Sequence, residues 1–152
     1  MKKVLFICMG NICRSAMAEG ILRDKIQRQH LDIEVDSAGT HRYHNGEQYD
    51  RRARTELDKH NIDVDDLRSR RVRPSDFNEF DVIFAADAEN IRDLRSEFGE
   101  LANQVKLMTA YSQRYREQFI PDPYYGGDDG FSRVYSMLDE SISAWLAQAV
   151  QK

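Results

Sequence analysis

Cysteine is scarce in this chain: two residues among 152, Cys8 and Cys13, five apart near the N-terminus. That excludes the multi-bridge disulfide framework of small secreted domains, and with no histidine pair nearby it argues against a zinc site. No apolar run approaches the ~20 residues that span a bilayer. Lys2-Lys3 precede an apolar stretch, but it stops at Ile7 and a polar Gly10-Asn11 turn follows, so no secretory leader is expected. These absences predict a protein of the reducing cytoplasm with no membrane partner. A net charge of −4 argues against a general nucleic-acid binder. The one basic stretch, Arg68-Ser69-Arg70-Arg71-Val72-Arg73, reads as a solvated surface segment, the alternative being a patch that attracts acidic or phosphorylated partners. Internal repeats and low-complexity tracts are lacking too, and the length predicts one domain over 1–152.

What is present alternates between strand and helix signals. Val4–Ile7 is a short continuous apolar run, as a strand buried on both faces requires. Ser15 opens a helical pattern with Met17, Ile21, Leu22 and Ile26 on one face. Further strands are expected over 33–35, 80–86 and 105–108. Helices are expected over 51–61, capped by Asp50, over 88–98, capped by Asp87, and from Phe131 to Ala149. Residues 119–130 hold two of the three prolines and three glycines and read as a loop. The fold class is therefore α/β: a single doubly wound, flavodoxin-like domain with a central four-stranded parallel sheet and helices on both faces. Such folds bind ligands beyond the carboxyl ends of their strands, where Cys8 falls.

With two cysteines and 16 arginines, a Cys-(x)5-Arg spacing arises by chance roughly one time in five. The placement is more telling than the spacing. A loop from a buried strand into a helix N-terminus turns backbone N–H groups toward one point and suits a tetrahedral oxyanion. Met9, Gly10, Asn11, Ile12, Cys13, Arg14 and Ser15 would form that cradle, with Gly10 and Asn11 in tight or left-handed positions. Arg14 offers two parallel hydrogen bonds to phosphoryl oxygens. Thiols in such fields lose their proton near neutrality, so Cys8 is expected to be a thiolate nucleophile. Ser15 can donate to its sulfur or simply cap the helix.

Attack on a phosphate ester needs a proton for the leaving oxygen. Asp122, held between Pro121 and Pro123, is the candidate general acid. Tyr124 and Tyr125 could wall an aromatic substrate. His41 and His44 read as exposed loop residues without a chemical role.

Together these segments resemble the low-molecular-weight protein tyrosine phosphatases. The carriers are Cys8, Gly10, Asn11, Cys13, Arg14 and Ser15, the Asp36-Ser37-Ala38-Gly39-Thr40 segment, Asp76-Phe77, Asp87 with Asn90, and Asp122-Pro123-Tyr124. The resemblance implies hydrolysis of phosphotyrosine in proteins through a phosphocysteine intermediate, with no cofactor and no metal. Cys8 would attack phosphorus, Arg14 clamp the phosphoryl group, and Asp122 act as acid and then base. Ser15 and Asn11 would support the thiolate, and Cys13 would be a redox partner for Cys8. Met9, Tyr43, Tyr124 and Tyr125 would line the cleft. The site would take phosphate, vanadate or sulfate-like oxyanions, in a monomer or weak homodimer. A histidine that braces the loop asparagine in relatives aligns with Leu67, which implies one fewer partner for Asn11. The rim over 41–49 is individual to this chain. Two alternatives share these residues: a thiol-dependent arsenate reductase of the same fold, and a non-catalytic phosphotyrosine-binding module.

Overall fold

The structure, a computed structural model, describes residues 1–124 and 128–150. Its centre is a parallel sheet of β1 (Lys2–Cys8), β2 (Ile33–Gly39), β3 (Val82–Ala85) and β4 (Lys106–Leu107), in the order β2-β1-β3-β4. That order is the flavodoxin-like one the alternating pattern predicts. The helices are α1 (Arg14–Gln29), α2 (Arg51–Asp58), α3 (Asp76–Glu79), α4 (Ala88–Phe98) and α5 (Asp128–Ala149), with a 3-10 segment over Gly99–Gln104.

β1 lies between β2 and β3, which explains its unbroken apolar run. Val4, Phe6 and Cys8 face one core with residues of α1 and α5, while Leu5 and Ile7 face a second core with residues of α3 and α4. Phe84 of β3 stacks on Phe6 at 5.7 Å and meets Trp145 of α5 edge-on at 6.0 Å, locking the last helix across the sheet. Asp87 caps α4 as expected, in a reciprocal capping box with Asn90. Asp50 caps α2 through the Arg52 amide.

Several boundaries differ from the sequence expectation. β2 runs on through Asp36-Ser37-Ala38 to Gly39, pairing residue by residue with Leu5 to Cys8. Those small and polar residues look like a loop because the pairing uses their backbones, not their side chains. α2 stops at Asp58, and left-handed Asn61 turns the chain so that the Ile62 amide returns to the Leu57 carbonyl. α5 starts at Asp128, inside the span expected to be loop, and the short α3 and 3-10 segments carry too little periodicity to be foreseen. The arginine stretch is no solvated face. Ser69 and Val72 are buried, Gly39 bridges to Arg71, and Arg70 joins Asp36 to the fully buried Asp76. Only Arg68 and Arg73 of the stretch are exposed.

Parallel pairing brings Cys8, Gly39 and Ala85 to one edge of the sheet.

Candidate active site

Residues 8–15 carry the chain from β1 into the first turn of α1. In a trans peptide the N–H and C=O point oppositely, so the carbonyls report where the amides face. The carbonyls of Cys8, Met9 and Ile12 accept from the amides of Thr40, His41 and Asp50. Those of Asn11 and Cys13 accept from the Ser69 hydroxyl and the Met17 amide. Four are held by surrounding residues and the fifth by the first turn of α1, which turns the N–H groups of Met9, Gly10, Ile12, Cys13 and Arg14 toward the inside of the loop. Five converging donors at the start of a helix form a cradle for a tetrahedral oxyanion.

Asn11 takes the left-handed backbone (φ 57°), as its side-chain type allows. Gly10 does not; its lack of a side chain serves close approach, since a Cβ would sit 3.2 Å from the His44 ring. Gly39 is needed for the same reason, because a Cβ there would meet the Met9 carbonyl at 2.7 Å.

The Asn11 amide can be oriented without ambiguity. The Arg70 N–H can only donate, so the atom it meets at 3.0 Å is Oδ1. Nδ2 then donates to Ser15 Oγ at 2.9 Å and to Ser37 Oγ at 2.8 Å. With a lone pair of Ser15 so occupied, its own hydrogen is available to the Cys8 sulfur, 3.0 Å away, in preference to the Ala38 carbonyl at 3.5 Å. Helix α1 begins one residue before Ser15, with Cys13 at the cap position, so Ser15 serves the sulfur rather than the helix end. The expected loss of an Asn11 partner at Leu67 is made good, since both ends of the amide are engaged and the loop is also tied by Ser69. Leu67 itself packs against the core.

Arg14 is buried, yet its guanidinium keeps its charge. Burial works to lower its pKa, but the Cys8 sulfur and the Asp87 hydrogen bond push it up. Nη1 donates to Asp87 Oδ2 at 2.6 Å and to the Ile120 carbonyl at 3.0 Å. Nη2 faces Asp122, whose carboxylate lies 3.9 Å away and accepts from the Tyr124 amide at 3.0 Å. Asp87, expected only as a helix cap, thus also fixes the arginine. The clue available in the sequence was an acidic cap directly after a buried strand.

These groups meet in a cavity of about 190 Å³ with Cys8, Cys13 and Arg14 in its lining, walled by Met9, Ile12, Tyr43, His44, Asp122 and Tyr124. His44 is half-buried against Gly10 and faces this cavity, so the expectation of an uninvolved exposed loop histidine is corrected. His41 is half-buried too, its ring stacked on Tyr43. The Arg52 guanidinium lies over the rings of Tyr124 and Phe131, tying the acid-bearing loop to α2 and α5. Tyr125 lies outside the described residues. Among the described residues no cluster of three or more metal-ligating side chains occurs.

The model of the low molecular weight phosphotyrosine protein phosphatase family matches residues 3–152. The chain belongs to this family. It is 39% identical over 141 residues to the low molecular weight phosphotyrosine protein phosphatase of Schizosaccharomyces pombe, covering 90% of this chain and 89% of that one. A crystal structure of a protein tyrosine phosphatase from Entamoeba histolytica, with Hepes in its active site, superposes with a TM-score of 0.90 at 38% identity, covering 98% and 97% of the two chains. The structure of a Drosophila arginine phosphatase superposes with a TM-score of 0.90 at 33% identity, covering 100% and 99%. The protein is thus a hydrolase of the phosphotyrosine phosphatase class.

Proposed function

We propose that this phosphatase hydrolyses phosphotyrosine in proteins by two in-line displacements at phosphorus. Cys8 Sγ attacks, the inward amides and Arg14 hold the three equatorial oxygens, and Asp122 gives its proton to the departing tyrosyl oxygen. Water then attacks the phosphocysteine, Asp122 takes its proton, and the thiolate leaves. The observation that carries this reading is the meeting of Cys8, Arg14 and Asp122 around one cavity. Asp122 stands off from Arg14 by 3.9 Å and projects from a proline-flanked loop. Ser15 and Asn11 support the sulfur, while Met9, Ile12, Tyr43 and Tyr124 supply apolar and aromatic walls for a flat ring.

Turnover of p-nitrophenyl phosphate in the presence of a chelator tests the reading, and wild-type inactivity would overturn it. Asp122→Ala is expected to lose about 10²–10⁴-fold against phosphotyrosine, whose phenoxide leaving group is basic enough to need the proton. The loss should be smaller with p-nitrophenyl phosphate, and equal losses would remove Asp122 as the acid. The likeness to an arginine phosphatase adds a second arm, a phosphoarginine peptide. The apolar Ile12 and aromatic walls favour phosphotyrosine, so kcat/KM should be higher for the tyrosine peptide.

Cys13 serves this site as a resolving thiol. Burial, with Asp50 and Cys8, pushes its pKa far up, so it does not compete for oxidant. One equivalent of peroxide should convert Cys8 to a sulfenic acid that Cys13 captures as a disulfide with release of water. Mass spectrometry of the linked peptide, and recovery of activity with dithiothreitol, would show it. Irreversible loss without the linkage would refute it. The working form is a cytoplasmic monomer or weak homodimer of one domain, with Tyr43 and Tyr124 exposed beside the cavity. No described helix is long and apolar enough to cross a membrane.

A further inference from the structure

Behind the phosphate loop, away from the cavity, lies a carboxyl group that the proposed mechanism does not use. Glu19 is on the second turn of α1 and only 4% exposed. Two hydroxyls converge on its Oε1: Ser37 from β2 at 2.6 Å and Tyr49 from the end of the rim at 2.8 Å. The two hydroxyl oxygens are 3.0 Å apart, so the three groups close a triangle. Ser37 is also the acceptor for Asn11 Nδ2. A continuous path therefore runs from Tyr49 and Glu19 through Ser37 and Asn11 to Ser15 and the Cys8 sulfur.

With Glu19 ionised, the direction of the path from Asn11 to Glu19 is determined. Asn11 must donate to Ser37, because the Arg70 amide has already fixed which end of the side chain is oxygen. Ser37 has one hydrogen, and it goes to Glu19. Tyr49 has one hydrogen, and it goes to the same oxygen. Burial and the neighbouring Glu19 push the Tyr49 phenol well above its ordinary range, so it stays a donor. Tyr49 is itself 2% exposed, an unusual place for an aromatic at the end of a polar rim. The next residue, Asp50, donates its amide to the Ile12 carbonyl, so the rim is joined to the loop directly at Asp50 and, through Ser37 and Asn11, at Tyr49.

We propose that Glu19 and Tyr49 are positioning residues for the phosphatase reaction: they hold Ser37, and through it the Asn11 amide that aims the Ser15 hydroxyl at Cys8. The assignment rests on the phosphatase reading above. A buried carboxyl group that only filled space would be better replaced by an apolar side chain. Its value here is as a strong acceptor that leaves Ser37 with a lone pair for Asn11.

This brace titrates. Burial pushes Glu19 up to about 7, against the lowering effect of the Ser37 and Tyr49 hydrogen bonds. Asp36 of β2 adds to the rise and Arg23, one turn along α1, opposes it. A neutral carboxyl accepts more weakly than a carboxylate. The hold on Ser37 therefore loosens as pH falls through neutrality. Removing the Tyr49 hydroxyl takes away one of the interactions that favour the charged form, so the titration moves to higher pH.

Tyr49→Phe and Glu19→Gln, both nearly isosteric, provide the test. Wild-type turnover of p-nitrophenyl phosphate is the control: its absence would fail the phosphatase reading rather than this one. In folded variants kcat should fall about tenfold with KM within twofold of wild type. The rate of Cys8 alkylation by iodoacetamide, followed on the Cys8 peptide across pH 5 to 9, supplies a second readout. The wild type should show an inflection near pH 7 that disappears in Glu19→Gln and moves upward in Tyr49→Phe. A variant with wild-type kcat and an unchanged alkylation profile would overturn the proposal. So would losses that only track the unfolded fraction measured by circular dichroism. Should one variant fail to fold, the other decides alone.

Discussion

Cys8→Ser is expected to reduce turnover of phosphotyrosine and of p-nitrophenyl phosphate by about 10⁴–10⁶-fold, as loss of a covalent nucleophile does elsewhere. The substitution replaces a polarizable sulfur with a hydroxyl that stays protonated in the same field. It should leave the fold intact, because residue 8 still ends β1 and still has the Ser15 hydroxyl beside it. The inward amides and Arg14 do not depend on the sulfur for their places, being held by Thr40, His41, Asp50, Ser69 and Asp87. Binding of a phosphotyrosine peptide should therefore survive, and calorimetry with Cys8→Ser should give an affinity within a few-fold of the wild-type KM. Activity above about one per cent of wild type in Cys8→Ser would remove the nucleophile assignment. The pairing of lost turnover with kept binding also separates an enzyme from a phosphotyrosine-binding module, in which Cys8→Ser would be silent.

How much of this was legible in the sequence depends on whether a residue acts through its own side-chain type or through its neighbours. β1 was readable because a strand covered on both faces needs an unbroken apolar run, and Val4–Ile7 is one. The loop that follows was readable because thiol, arginine and left-handed asparagine each have few other uses in that order. The family resemblance suggests the remaining parts, and the family itself is the one whose model matches residues 3–152. The second duty of Asp87 was not readable as such. It depends on β3 lying beside β1, which sets the cap of α4 against Arg14.

The arginine stretch misled for a related reason. Its charge is conspicuous, but its contribution to the site comes from the Arg70 amide and the Ser69 hydroxyl. Backbone donors leave no trace in composition. Tyr49 sat unnoticed in a polar rim because its partner, Glu19, is 30 residues away on the far side of Ser37. The half-burial of His44 against Gly10 and of His41 against Tyr43 is not legible either, because a loop of polar residues gives no sign of which members fold back. In each case the missing knowledge was a pairing across the fold rather than the character of a residue.

Arg14→Lys should lower kcat/KM by about 10³-fold or more, since it removes a fixed fork of donors aimed at charge that develops in the transition state. Lysine keeps the charge, so the experiment isolates geometry. Its single nitrogen cannot hold Asp87 and the Ile120 carbonyl while still presenting two hydrogen bonds to a phosphoryl group. Vanadate or phosphate binding should weaken with it, and a loss below about tenfold would mean that the inward amides do most of the holding. Asp87→Asn is the partner variant. Asparagine can still cap α4 by accepting from the Asn90 amide, so stability should hold. Its NH₂ group would face the guanidinium where Oδ2 now accepts at 2.6 Å, leaving Arg14 free to swing. Asp87→Asn should therefore cost about tenfold in kcat/KM. Combined with Arg14→Lys, it should add little, because the carboxylate acts on the reaction through the arginine it orients.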